Sequence, residues 1–288
     1  MDTKELLKKI RLLDIRTRGL TKHVFSGEYH AAFKGRGMTF SEVRNYTLGD
    51  EVRTIDWNVT ARFNEPYVKV FDEERELTVM LIIDISGSSN FGIHEKTKKD
   101  LALELAAVLS FSAISNNDKV GAIFVSDTVE KYIAPQKGKK HALIILRAFI
   151  ELKATSKDTN LNEALTFFRN TQKKRCIAFI ISDFMDENNV MEELKISRKK
   201  HDLVALHLVD EAEKKLPAMG IVQMQNSESG KKTWVNTNSQ QARDMHAHNF
   251  KTFEDNLFLN LKKAGIDSTS ISTDEDFIKP LVKLFKNR

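Results

Sequence analysis

The 288 residues are 41% hydrophobic and 30% charged, with 12 Gly, 4 Pro and 1 Cys, which excludes the collagenous, disulfide-scaffold and disordered classes. At about 150 residues per domain the chain is one large domain or two ordinary ones. The net charge of +5 comes from bases dispersed among acids rather than gathered into a stripe, so no nucleic-acid partner is expected, and the Lys and Arg clusters at 96–99, 137–140 and 198–200 read as solvated helix ends.

In chain order, Leu6, Ile10, Leu13 and Leu20 fall at near-helical spacing and predict an amphipathic helix over residues 4–24. Acids and bases run through residues 1–18 where a secretory signal would be apolar, so a cytoplasmic location is expected. Residues 27–76 hold turn signals at Gly35, Gly37 and Leu48-Gly49-Asp50, and read as short strands and loops ending in an alternating strand through Tyr67 and Phe71. From residue 77 the texture changes to near-continuous apolar strands alternating with helical patterns. Strands are predicted at 77–84, 119–125, 129–134, 176–182, 202–209 and 268–272. Helices are predicted over about 18 residues around LALELAAVLSFSAI, and at 139–152, 161–171, 188–200, 240–264 and 275–286, with a hairpin around Ser229-Gly230. This alternation predicts an α/β domain over 77–288, with a doubly wound, mostly parallel sheet covered by helices on both faces. Residues 1–76 are expected to form a small amino-terminal α+β subdomain. The longest stretch free of Asp, Glu, Lys and Arg, Leu105–Asn117, is shorter than the about 20 apolar residues of a membrane helix, so no membrane span is expected.

Ligands of open α/β sheets gather outside the carboxyl ends of the strands. There the first core strand presents Asp84-Ile-Ser86-Gly-Ser88, the strand at 176–182 presents Ser182-Asp183, and Thr159 lies just before a helix. Oxygen donors without His or Cys suit a hard cation, Mg²⁺ or Mn²⁺. Hydroxyl-rich ligation leaves such an ion substantially positive and keeps a position open for water or an outside carboxylate.

This set resembles the metal-ion-dependent adhesion site (MIDAS) of von Willebrand factor type A (VWA) domains. The resemblance implies that Ser86, Ser88 and Thr159 bind the metal directly, and Asp84 and Asp183 directly or through water. A second resemblance covers nearly the whole chain: GRGMTFSEVRNYTLGDEVRTIDWNVTAR followed by DISGSS is similar to the bacterial proteins grouped as domain of unknown function 58. Members of that group often carry amino-terminal membrane helices. The resemblance implies a non-enzymatic adaptor that works with a MoxR-type AAA+ ATPase in chaperone-like assembly or activation of clients.

Within that segment Arg44, Arg53 and Arg62 alternate with Asp50, Glu51 and Asp56 around Tyr46, Gly49 and Trp57. Such a balance reads most simply as a salt-bridged clasp, with Arg53 and Asp56 as its first pair, and otherwise as a partner-binding surface. Cys176 in CIAFIIS reads as a small buried hydrophobe, and His246-Ala-His248 as a surface pair without zinc spacing. Two other function classes stay open: a metal-dependent hydrolase, whose general base would be Asp158 or Asp186, and a nucleic-acid binder.

Overall fold

The computed structural model describes residues 38–73, 77–92, 96–156, 158–185, 190–225 and 232–288. The helix expected at 4–24, the turns at Gly35 and Gly37, and Ser229, Gly230 and Asp186 lie outside them. Two compact units divide the chain, one drawn from Phe33–Leu77 and the other containing Thr78–Arg288.

In the smaller unit, β1 (Met38–Asn45) pairs antiparallel with β2 (Tyr67–Glu73), with an irregularity between Phe40 and Glu42. The segment between them was expected as strands and loops, but it contains a helix, α1 (Trp57–Phe63). The Asp56 carboxylate caps it by accepting the N–H groups of Asn58 and Val59, and Asn64 closes it in the left-handed conformation. Seven residues are too few for an amphipathic period to declare itself, so the cap is the stronger signal. Gly49 has φ +113 in the turn after Leu48, a conformation that favours glycine.

The clasp is only partly realised. Arg44 pairs with Asp50 at 2.7 Å, and Asp50 also accepts the Thr47 N–H and hydroxyl. These donors hold its carboxyl well below the usual carboxylate range. Asp56 instead faces Lys69 at 3.4 Å. Arg53, Arg62 and Trp57 are exposed, and no ion pair joins Arg53 to Asp56. Tyr46 contributes its backbone N–H to the Pro66 carbonyl at 2.8 Å. Arg53→Ala should therefore leave thermal stability unchanged, whereas Asp56→Ala, which removes a helix cap, should lower the Tm by roughly 2–4 °C. Equal losses in both variants, measured by thermal melts, would restore the pairing expected from sequence.

The larger unit is built on a six-stranded sheet ordered β10-β7-β6-β3-β4-β5. Its strands are β3 (Thr78–Asp84), β4 (Lys119–Val125), β5 (Val129–Gln136), β6 (Ile177–Ser182), β7 (Asp202–Val209) and β10 (Asp267–Ser272). All neighbours are parallel except β5, which runs antiparallel to β4. Only residues 126–128 separate β4 from β5, far fewer than a parallel crossover needs. A separate hairpin joins β8 (Ile221–Gln225) to β9 (Lys232–Asn236). The helices are α2 (Lys98–Ser115), α3 (Lys139–Glu151), α4 (Leu161–Thr171), α5 (Met191–Arg198), α6 (Glu211–Lys214), α7 (Gln240–Lys263) and α8 (Ile278–Lys286).

Alternate strand residues face opposite layers. Met80, Ile82, Ile123, Ala178, Ile180, Leu203 and Ala205 pack with Leu165 and Phe168 of α4, Leu194 of α5, and Leu257 and Leu261 of α7. On the other face Phe124 meets Phe149 of α3 at 5.4 Å between ring centroids, and Phe179 meets Phe285 of α8 at 6.2 Å. Helices thus cover both faces of a mostly parallel sheet, the doubly wound, VWA/Rossmann-like α/β fold class expected from the sequence. Gly121 marks a close approach in β4, because a Cβ there would lie 2.8 Å from both the Ile133 carbonyl oxygen and the Met80 sulfur. Cys176 is buried as expected, and burial pushes its thiol up to about 12. Among the described residues no helix is long and apolar enough to cross a membrane.

Candidate functional site

Strand order reverses at β3, which sends the chain to β4 on one side while β6, β7 and β10 build out the other. The crevice beyond the carboxyl ends of β3 and β6 is therefore the switch point at which such sheets bind ligands. Asp84 ends β3, and the Asp84 carboxylate accepts the Ser86 N–H at 2.9 Å and the Ser182 hydroxyl at 2.7 Å. Ser182 ends β6, so this second bond ties the two strands together. The hydroxyls of Ser86 and Ser88 lie 3.1 Å apart, and that of Ser89 donates to the Ser86 carbonyl at 2.7 Å. Ser88 lies near the Asp183 carboxylate and helps to hold its pKa down.

Four of the five expected donors are thus brought together: Asp84, Ser86, Ser88 and Asp183. Thr159 is placed by its neighbour, since the Asn160 N–H donates to the Ser126 carbonyl just past β4 at 2.8 Å, and the Asn160 side chain then caps α4. Thr159 is 6% exposed, and its hydroxyl has no hydrogen-bond partner. An unpaired buried hydroxyl costs free energy that a ligand could recover.

The electrostatics are polarised. Burial first, and then the charge of Asp183, raise the Asp84 carboxyl to about 6. Asp183 is held below the ordinary carboxylate value: burial opposes this, but the charge and hydrogen bond of Lys98, with help from Ser88 and the Met185 N–H, outweigh it. Phe184 immediately follows with φ +54, unusual for a bulky side chain, and its N–H bonds the Ser182 hydroxyl oxygen at 3.0 Å. Backbone held in such a conformation beside converging polar groups is a common mark of a functional turn.

Lys98 overturns part of the sequence reading. The cluster at 96–99 was expected to be a solvated helix end, yet the Lys98 side chain is 1% exposed. Its ammonium donates to Asp183 Oδ2 at 2.6 Å and to Glu213 Oε1 at 2.7 Å. Burial would lower its pKa, but these two carboxylates outweigh burial and raise it. Neither Lys98 nor Glu213 was among the expected site residues. One signal was present in the sequence: a lysine in the first turn of a helix opposes the helix dipole and implies carboxylates nearby.

The donor set fits a hard cation in its chemistry, with oxygen atoms only, two carboxylates that disfavour each other's charge, and an unsatisfied hydroxyl. Among the described residues no three or more His, Cys, Asp or Glu side chains cluster as metal ligands, so any metal here would depend on hydroxyls. Ser86 has Ser88, not a histidine, beside its hydroxyl. Asp158, the described candidate for a hydrolytic base, is solvent-exposed. His246 is not part of a surface pair, because its Nε2 lies 2.8 Å from the Glu213 carbonyl and docks α7 on α6.

The family model described as "Protein of unknown function DUF58" matches residues 42–254. "Uncharacterized protein Rv1480" of Mycobacterium tuberculosis is 27% identical over 290 aligned positions that cover 100% of this chain and 91% of the relative. Among solved structures, an aerotolerance-related membrane protein from Bacteroides fragilis aligns with 73% of this chain and 97% of its own at 16% identity and a TM-score of 0.47. The SpRpn10 VWA domain aligns with 74% of this chain and 95% of its own at 14% identity and a TM-score of 0.41.

Proposed function

The chain belongs to the DUF58 family, and from that premise we propose that it is a non-enzymatic protein-interaction module whose docking depends on a divalent cation at the switch point. The observation that carries the proposal is the set of oxygen donors converging from the carboxyl ends of β3 and β6, and the buried, unpartnered hydroxyl of Thr159, in the loop tied to the end of the adjacent strand β4, supports it. Asp84, Ser86, Ser88, Thr159 and Asp183 would hold Mg²⁺ or Mn²⁺. Bound there, the ion would supply a positive charge to which an outside Asp or Glu can coordinate.

Each of this chain's residues has a separate task. Ser182 and the Ser86 backbone orient Asp84, Lys98 and the Met185 N–H orient Asp183, and the loop before α4 would deliver Thr159. Because Thr159 opens onto α4, its engagement could couple occupancy of the site to the packing of that helix. The partner implied by the sequence resemblance is a MoxR-type AAA+ ATPase or its client, contributing an acidic residue. The test is calorimetry with Mg²⁺ and Mn²⁺, followed by affinity for the isolated ATPase in Mg²⁺, in EDTA and with Thr159→Ala. One-site cation binding and partner affinity that falls about tenfold or more in EDTA and in the variant are expected. Equal partner affinity in all three conditions would place the docking surface elsewhere and defeat the proposal.

A further inference from the structure

Lys98 is the feature that the proposed function does not absorb. A buried lysine is costly unless its charge is balanced, and here Asp183, at the end of β6, and Glu213, on α6, balance it. Asp183 has two oxygens with different partners: Oδ2 accepts the Lys98 ammonium at 2.6 Å, and Oδ1 accepts the Met185 N–H at 3.2 Å. Glu213 is likewise fixed, because its Oε2 accepts the Asp210 N–H at 3.0 Å in a capping box while Oε1 takes Lys98. The ammonium therefore has a second, pre-formed anionic partner that lies outside the oxygen set assigned to the cation.

We propose that Lys98 is a built-in counter-cation that competes with the divalent ion for Asp183, so that the strength of the Lys98–Asp183 ion pair sets the affinity of the site. This inference rests on the metal-site reading and deepens it. Two carboxylates, Asp183 and Glu213, hold the one ammonium; a divalent ion drawn to Asp84 and Asp183 repels that ammonium at short range in a site shielded from water. Lys98 then keeps Glu213 as its partner, which makes the exchange an ion-pair swap rather than the stranding of a buried charge. Wild type must weaken a buried pair in order to bind, and that cost is subtracted from its cation affinity.

Two variants move the competition in opposite directions. Lys98→Met removes the competitor while keeping the apolar stem, and should tighten Mg²⁺ binding by about tenfold or more. Glu213→Gln removes the alternative partner, leaves Lys98 to Asp183 alone, and should weaken Mg²⁺ binding by about threefold or more. Calorimetry with Mg²⁺ alone reads both, and thermal melts in EDTA and in Mg²⁺ provide a readout independent of any partner. Lys98→Met should melt lower than wild type in EDTA and regain most of that loss in Mg²⁺, because the ion takes over the neutralisation of Asp183. If wild type binds Mg²⁺ and neither variant shifts the affinity in its expected direction, the competition is wrong and the metal site stands. If no protein of the three binds Mg²⁺ or Mn²⁺, the metal site itself is wrong and the inference falls with it. Binding by Lys98→Met alone would support the competition and show that Lys98 excludes the ion from the wild-type site. Should Lys98→Met fail to fold in EDTA, the sign of the Glu213→Gln shift decides the matter.

Discussion

In EDTA at pH 7.5 the Asp84→Asn protein is expected to be more stable than the wild type, by about 2–3 kcal/mol. Asp84 is buried beside Asp183, and its carboxyl is raised from the ordinary 3.8 to about 6. A carboxyl whose folded pKa lies above its unfolded value binds its proton more tightly in the native state, so wild-type stability falls as the pH rises from about 4 to about 6. Above that window the full cost of the charge is present, and an amide removes it. The amide can also retain the local bonds: its oxygen accepts the Ser86 N–H, and its NH₂ can donate to the Ser182 hydroxyl oxygen, which already accepts the Phe184 N–H. The gain should shrink to well under about 1 kcal/mol near pH 4, where folded Asp84 is protonated and the unfolded carboxyl is about half protonated. Adding Mg²⁺ should stabilise wild type and not the variant, because the variant has lost a ligand charge. Urea titrations at pH 4 and 7.5, with and without Mg²⁺, measure all of this. A variant less stable than wild type at pH 7.5, or one whose gain is the same at both pH values, would show that Asp84 is a structural anion rather than a carboxylate kept charged for binding.

Phe179→Ala should cost about 3–5 kcal/mol, enough to threaten folding of the larger unit. Phe179 is fully buried at the middle of β6, with Leu81 of β3 and Val204 of β7 as its ladder neighbours. Its ring meets Phe285 edge to face, so truncation leaves a void between the sheet and α8 that rigid strands on both sides cannot collapse into. The strand that loses its packing is the one that delivers Ser182 and Asp183, so cation affinity should fall along with stability. Phe179→Leu, which keeps most of the volume, should recover more than half of the loss. Denaturant midpoints of the two variants test the assignment, and a loss below about 1 kcal/mol for the alanine variant would mean that this face of the sheet is loosely packed.

Much of this architecture can be read directly from residue order. Strands buried on both faces have to be apolar at nearly every position, so Thr78–Asp84 and Ile177–Ser182 stand out against helical patterns, and the polar residues that end them mark the edge where ligands gather. That is why Asp84, Ser86, Ser88, Thr159 and Asp183 could be singled out from one chain. Cys176 was equally legible, as a small hydrophobe inside an apolar run.

What the order of residues could not supply is which charged groups meet. Lys98 sits in a run of lysines that looks solvated, and its burial is decided by Asp183, 85 positions away, and by Glu213, 115 positions away. Arg53 and Asp56 are close in sequence and were expected to pair. The helix between Trp57 and Phe63 takes the Asp56 carboxylate as its cap, and Lys69 on β2 takes its charge, so the pair does not form. The unpaired hydroxyl of Thr159 and the close approach at Gly121 likewise exist only once neighbouring strands and loops are in place. Hydrophobic burial is a property of each segment's own pattern, repeated along the chain and therefore visible in it. Ion pairing and hydrogen-bond satisfaction are pairwise and short-ranged, and their partners are chosen only after packing has brought distant segments within a few ångströms of one another.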